Sequence, residues 1–219
     1  MWNEQIINMI LKGIQESLYM TLLSSLIAYA IGLPMGILLV VTDKDGIAPA
    51  VFFNKILGVF VNLIRSVPFV ILLIALMPVT RAIIHTTIGP NAVVIPLIIG
   101  SAPYIARLVE SSLKEVDNGV IEAAQSMGAS PIQIIFKVLI PEAMPSLIMG
   151  GAIAVITILS YSAMSGFVGG GGLGTIAINY GYYRYKIDIM VVTILILVLI
   201  VQAFQELGVW WMKRSDKRL

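Results

Sequence analysis

The sequence predicts an all-α integral membrane fold with five transmembrane helices, on three observations. Of its 219 residues, 58% are hydrophobic and only 12% charged, against about 25% charged in an ordinary soluble domain. Several uncharged runs reach or exceed the ~20 residues that a membrane helix needs. The charges gather in the intervals between those runs and in the C-terminal tail.

The first span is the uncharged run Ser17–Thr42, whose helix would reach about 39 Å across a hydrocarbon core of about 30 Å. The preceding stretch, MWNEQIINMILKGIQESLYM, carries Glu4 and Glu16 and no basic n-region. It does not read as a cleaved signal peptide, so the first hydrophobic stretch is expected to remain as a helix. The second span is expected over Val51–Val79, with Arg65 inside it and a bend at Pro68 that frees the Ile64 carbonyl. The third runs from Asn91 to Ala106 and extends past Arg107. From Ala143 to Tyr183 no residue is charged, which suits a fourth span and a loop marked by the glycines at 169–172. The fifth is Ile189–Trp211, with Trp210 and Trp211 at interface depth.

Charge placement orients the bundle. Lys213, Arg214, Lys217 and Arg218 of the tail fall on one side with Lys44, Lys55, Arg107, Lys114 and Lys137. Lys12, Arg81, Arg184 and Lys186 fall on the other. The positive-inside rule then predicts an N-out, C-in topology. The net charge of +2 is too small to argue for nucleic acid. With no cysteine there is no disulfide framework, thiolate ligand or thiol nucleophile. The one histidine, His85, cannot build a metal site alone and reads as a loop or interface residue. No catalytic set and no metal site is expected.

The segment at about 117–142 is then cytoplasmic and reads as two short helices around a hinge. Asp117, Asn118 and Gly119 supply cap residues and a backbone break. Val120, Ala123, Ala124 and Met127 share an apolar face, and Gly128 follows as a helix terminator. Ser130, Pro131 and Gln133 have the spacing of a capping box with proline at the first helical position. Ile132, Ile135, Phe136 and Leu139 share the next apolar face, and Pro141 ends or bends that helix. The segment has no reactive group, so it reads either as a docking knob or as an ordinary cytoplasmic loop with a snug turn.

Glu122-Ala123-Ala124, three residues, Gly128, nine residues, then Val138-Leu139-Ile140-Pro141 resembles the EAA loop of ABC importer permeases. Val138 and Ile140 replace that family's Ile and Leu. IGLPMG (31–36), RSVPFVILL (65–73), PYIARLVESSL (103–113), YSAMSGFVGGGGLG (161–174) and NYGYYRY (179–185) resemble the methionine-importer permeases over nearly the whole chain. The resemblance implies a single permease domain over 1–219 in a bacterial cytoplasmic (inner) membrane. It implies that Glu122, Ala123, Ala124, Gly128 and Pro141 couple to a separate ATP-binding cassette subunit, which carries the ATP and Mg. This chain would hold no cofactor and would not be an enzyme.

Other clusters fit that expectation. Gly170, Gly171, Gly172 and Gly174 lack the Lys-Ser/Thr of a phosphate loop, since Thr175 and Ile176 follow. They read as a flexible turn, or as a tight outer loop that a substrate-binding protein can approach. Ser66, Pro68, Tyr161, Ser162, Met164 and Ser165 are the candidate lining of a translocation pathway. Glu110 and Glu206 read as solvated or helix-pairing residues, and the run GYYRYK (181–186) as an interfacial belt. Five helices are few for a closed pathway, so a homodimer is expected, with two ATPase subunits inside, a binding protein outside and lipid around it. The alternatives are the same architecture carrying another polar amino acid or small nutrient, and an ATPase-independent channel or ion-driven transporter. The latter needs ionisable groups deep in several spans, and only Arg65 qualifies.

Overall fold

The computed structural model describes residues 4–216, so Lys217 and Arg218 of the charge pattern lie outside the described residues. α1 runs from Glu4 to Val41. Its 38 residues reach about 57 Å, nearly twice the hydrocarbon thickness of about 30 Å. The span expected from Ser17 thus starts earlier, because the interval before it stays helical. Lys12 and Glu16 pair across one turn at 3.8 Å, an arrangement that supports a helix. Pro34 is absorbed within α1 at the loss of one backbone donor.

Two glycines in α1 set its packing on α5 (Pro90–Lys114). A Cβ added at Gly32 would stand 2.7 Å from the Ala102 carbonyl oxygen, and one at Gly36 2.6 Å from that of Ala106. Small residues four apart let two backbones come this close. Gly36→Ala is expected to destabilise the fold by about 1–3 kcal/mol. Thermal unfolding of the purified protein in detergent reads this, and an unchanged midpoint would contradict the packing argument.

α1 ends in a turn closed by side chains. Thr42 Oγ1 donates to the Leu38 carbonyl, and Asn54 Nδ2 donates to the Leu39 carbonyl and to Thr42 Oγ1. α2 (Val51–Ser66) and α3 (Phe69–Ala75) follow. They meet at an angle of 99°. The second span is therefore broken at Pro68, not merely bent. Proline disfavours helical backbone in the residue before it, so α2 stops at Ser66 and Pro68 caps α3. Arg65 lies in the last turn of α2 and is exposed, where a cation complements the helix dipole. α4 (Met77–Ile84) ends on His85, whose φ of 64° places it in the left-handed region.

α6 (Asn118–Ser126), α7 (Pro131–Ile134) and α8 (Ile140–Glu142) form the segment after α5. α9 (Met144–Met164) continues as a 3-10 turn, Ser165–Val168. The loop expected after it is largely helical: α10 (Gly172–Ile176), a π-turn (Ala177–Tyr182), then α11 (Ile187–Ser215). No strand occurs among the described residues. Among the described residues four helices, α1, α5, α9 with its 3-10 extension, and α11, are long and apolar enough to cross a membrane; the bent pair α2–α3, taken as one span, raises the number to five.

The chain packs as two units. One holds the residues up to Ala28, Val67–Ser101 and Val155–Gln205. Met20, Leu97, Ile158, Leu173 and Ile189 are fully buried in it. The other holds Tyr29–Ser66, Ala102–Ala154 and the residues from Glu206. Leu39, Val61 and Ala106 form a core there, with Met35 and Leu57 against it. Along α11, Val191, Leu195, Val198 and Leu199 stay exposed. An uncovered apolar stripe on so long a helix is suited to hydrocarbon.

Candidate functional site

The segment after α5 is built rigidly from its caps. Asp117 Oδ1 accepts the Gly119 N–H at 2.7 Å and starts α6. At its other end Gly128, with φ 77°, takes the left-handed conformation that glycine adopts without a Cβ clash. The Gly128 and Ala129 N–H groups turn back to the Gln125 and Ala124 carbonyls. The capping box forms as its spacing predicts: Ser130 Oγ accepts the Gln133 N–H, and Gln133 Oε1 accepts the Ser130 N–H at 2.9 Å. Pro141 does not end the helix that follows. It has no N–H for the Lys137 carbonyl, and the chain accommodates it through a π-turn, Ile135–Leu139, running straight into α8.

That turn also redistributes the apolar faces. Ile134 and Leu139 are 1% exposed and anchor the segment, with Ala124 at 4%. Ile132 and Phe136, expected on the same face as Leu139, point outward at 69% and 65% exposure. Met127 is 81% exposed, and Val120, Glu122, Ala123, Gly128 and Pro141 are exposed as well. The result is an anchored pair of helices presenting large apolar side chains that nothing in this chain covers. Beside it, Asp43, Asp45, Lys114, Glu122 and Gln125 line part of a cavity of about 510 Å³.

An ionic ladder stands next to this cavity. Arg107 bonds Glu110, Lys114 Nζ bonds Glu110 at 2.9 Å, and Lys114 reaches Asp43 at 3.3 Å. Arg107 also donates to Asn62 Oδ1 at 2.9 Å and to the Gly58 carbonyl at 3.3 Å. The ladder thus joins α5 to α2 and to the turn after α1. The Lys44 backbone N–H donates to Asp43 and holds its carboxyl below the ordinary carboxylate range, with Lys114 adding to the effect. Of the two expectations for Glu110, solvated or helix-pairing, the pairing is the one that forms. The spacing Arg107, Glu110, Lys114 already carried the signal, being one helical turn apart at each step.

The glycine cluster behaves differently from an open turn. Gly170, Gly172 and Gly174 are buried. A Cβ at Gly174 would overlap the Ala163 carbonyl, and one at Gly172 would stand 2.6 Å from Ser17 Oγ. Glu16 Oε2 accepts the Gly172 N–H at 2.8 Å, and Ser17 Oγ accepts the Leu173 N–H at 2.9 Å. The close approach that these glycines allow is thus made by α1 and α9 of the same unit. Sequence reading missed Glu16 and Ser17 as the caps of α10, since 156 residues separate them from the loop.

The pathway candidates divide. Tyr161 stacks on Phe69 with centroids 4.4 Å apart. Ser162 and Ser165 are buried, and their hydroxyls return to the Leu159 and Ser162 carbonyls of their own helix. Met164 is 42% exposed and helps to line a groove of about 390 Å³ with Phe167. Ser66 Oγ donates to the Asn62 carbonyl and belongs to the other unit, and Pro68 is exposed.

The family described as the binding-protein-dependent transport system inner membrane component matches residues 32–219 of this chain. The chain belongs to that family. A probable D-methionine transport system permease protein MetI of Vibrio cholerae is 47% identical to this permease over 96% of its length and 94% of the relative. The D-methionine transport system permease protein MetI of Escherichia coli K12 is 44% identical over 75% of the permease and 76% of the relative. An inward-facing structure of the MetNI methionine ABC transporter superposes with a TM-score of 0.96 at 41% identity. It covers 99% of the permease and 100% of that chain. The resemblance to importer permeases therefore holds at the level of the family, and the relatives extend it over nearly the full chain.

Proposed function

We propose that the permease carries methionine into a bacterial cell through the cytoplasmic membrane, as a homodimer driven by two ATP-binding cassette subunits. The observation that carries this reading is the exposed apolar surface of Met127, Ile132 and Phe136 on a pair of helices anchored by Ile134 and Leu139. Exposed apolar side chains on a segment expected to lie in water, rather than against lipid, are the kind of surface that a partner covers. Charge placement supports the N-out, C-in orientation, with this segment (117–142) in the cytoplasm as the coupling loop of a single permease domain over 1–219. Glu122, Ala123, Ala124, Gly128 and Pro141 shape the surface that enters the ATPase. ATP and Mg belong to that partner. A substrate-charged binding protein docks outside, near the glycine loop of Gly170, Gly171, Gly172 and Gly174.

In this cycle ATP binding draws the two coupling loops together and turns the pathway outward, and hydrolysis resets it. Pro68, Tyr161, Ser162, Met164 and Ser165, within one unit, are assigned to the pathway region, and Ser66 is left to the other unit. Met164 is the one exposed polarizable side chain among them suited to meet a thioether. The methionine assignment draws support from the relatives' names and from the likeness to the MetNI transporter.

The test is Glu122→Lys in proteoliposomes with the ATPase and binding protein. Uptake of labelled methionine should fall at least about tenfold, with the permease still inserted. Normal ATP-driven uptake in that variant would overturn the docking role. Met164→Ala should raise ATP turnover without cargo or alter uptake. Unchanged coupling and unchanged uptake would remove Met164 from the pathway.

A further inference from the structure

α11 approaches α9 closely at Gly208. Gly208 lies against Ala152, where an added Cβ would overlap the alanine methyl. Toward the C-terminal end of α11, Trp210 and Trp211 are too large for such an approach. A crevice of about 440 Å³ opens there, lined by Ile148, Trp210, Trp211, Arg214 and Ser215. Both indoles are more than half exposed. The Arg214 guanidinium sits 5.6 Å from the centroid of the Trp210 ring, within cation–π range.

The crevice combines three properties. Its walls are apolar and aromatic, suited to the depth where acyl chains meet headgroups. Its cation is a guanidinium placed over an aromatic face, and that group can bond a phosphodiester with two parallel N–H donors. Its helix end is basic: Lys213 and Arg214 both fall in the last turn of α11. Completing the helix dipole accounts for cations in the last turn of α11. It does not account for a crevice walled by two exposed tryptophans beside one of them.

We infer that this crevice binds the headgroup of an anionic phospholipid, with the phosphodiester on Arg214 and the acyl chains against Ile148 and the indoles. Basic pockets beside membrane helices hold anionic lipids by this chemistry. The site would tie the end of α11 to the bilayer surface, independently of the substrate carried.

The test uses the full chain in a Trp2→Phe background, which leaves Trp210 and Trp211 as its tryptophans. It is reconstituted into vesicles containing brominated phosphatidylglycerol or brominated phosphatidylcholine with identical acyl chains. Quenching should reach its half-maximum at about fivefold lower mole fraction of the anionic lipid. Arg214→Gln should abolish that preference, and Arg214→Lys should restore part of it. Equal quenching by the two lipids, or a preference that survives Arg214→Gln, would overturn the inference. So would displacement of the lipid by excess inorganic phosphate, which would mark a site for soluble anions. Both leaflets carry the probe, so the outcome does not depend on which way the permease is inserted.

Discussion

Aspartate in place of Ile132 or Phe136 should leave the permease folded and remove ATP-driven uptake. Both side chains are about two-thirds exposed, so a carboxylate there meets water and should change stability by no more than about 0.5 kcal/mol. Docked in a partner's cleft, the same carboxylate would be stripped of water without a counter-charge. Losing an apolar anchor at the centre of an interface costs about 2 kcal/mol or more, roughly thirtyfold in affinity. A buried charge adds to that. The expected result is a monodisperse permease that no longer retains the ATPase through size exclusion, with uptake at background.

Ile134→Asp provides the internal control. Ile134 is 1% exposed, so the carboxylate would be buried within the permease itself and the protein should fail to fold or insert. The contrast between positions two residues apart separates docking from stability. If Ile132→Asp and Phe136→Asp retained the ATPase and took up cargo normally, the proposed coupling surface would be wrong. If all three variants were equally unstable, the surface would be part of the permease's own core.

The sequence displays some of this surface and hides the rest, for physical reasons. Caps act over three or four residues, so Asp117, Gly128 and the Ser130–Gln133 box are visible in the local pattern. Burial direction is not local. Periodicity marks Ile132 and Phe136 as an apolar pair, but it cannot say whether their cover comes from this chain or another. The π-turn before Pro141 shifts the register by one residue and puts Ile134 where Ile135 was expected. The α2–α3 break shows the same limit: proline predicts a disturbance but not its 99° size. The glycine cluster was legible as a place of close approach. What approaches it, Glu16 and Ser17 on α1, is a tertiary fact.

Glu110→Ala should be the most destabilising change in the ionic ladder. The Glu110 side chain is 12% exposed and sits between Arg107, at 25%, and Lys114, at 49%. Its removal leaves the Arg107 guanidinium half-buried, bonded only to neutral oxygens of Asn62 and Gly58 in the ladder. Breaking a fully buried pair costs about 3–5 kcal/mol. Partial exposure of both cations screens the charge left behind, so about 2–3 kcal/mol is expected here. Asp43→Asn should cost less than about 1 kcal/mol, because its ion pair with the half-exposed Lys114 is screened by solvent. Thermal unfolding in detergent ranks the two variants, and Arg107→Ala combined with Glu110→Ala measures their coupling. A coupling of about 0.5–3 kcal/mol is the expected range for direct partners. Glu110→Gln keeps an acceptor for Arg107 and should recover part of the loss. Equal effects of Glu110→Ala and Asp43→Asn, or additive effects of the Arg107 and Glu110 changes, would mean that the ladder is an ordinary surface array. Unequal effects and strong coupling would identify Glu110 as the residue that fixes α5 against α2 beside the coupling segment.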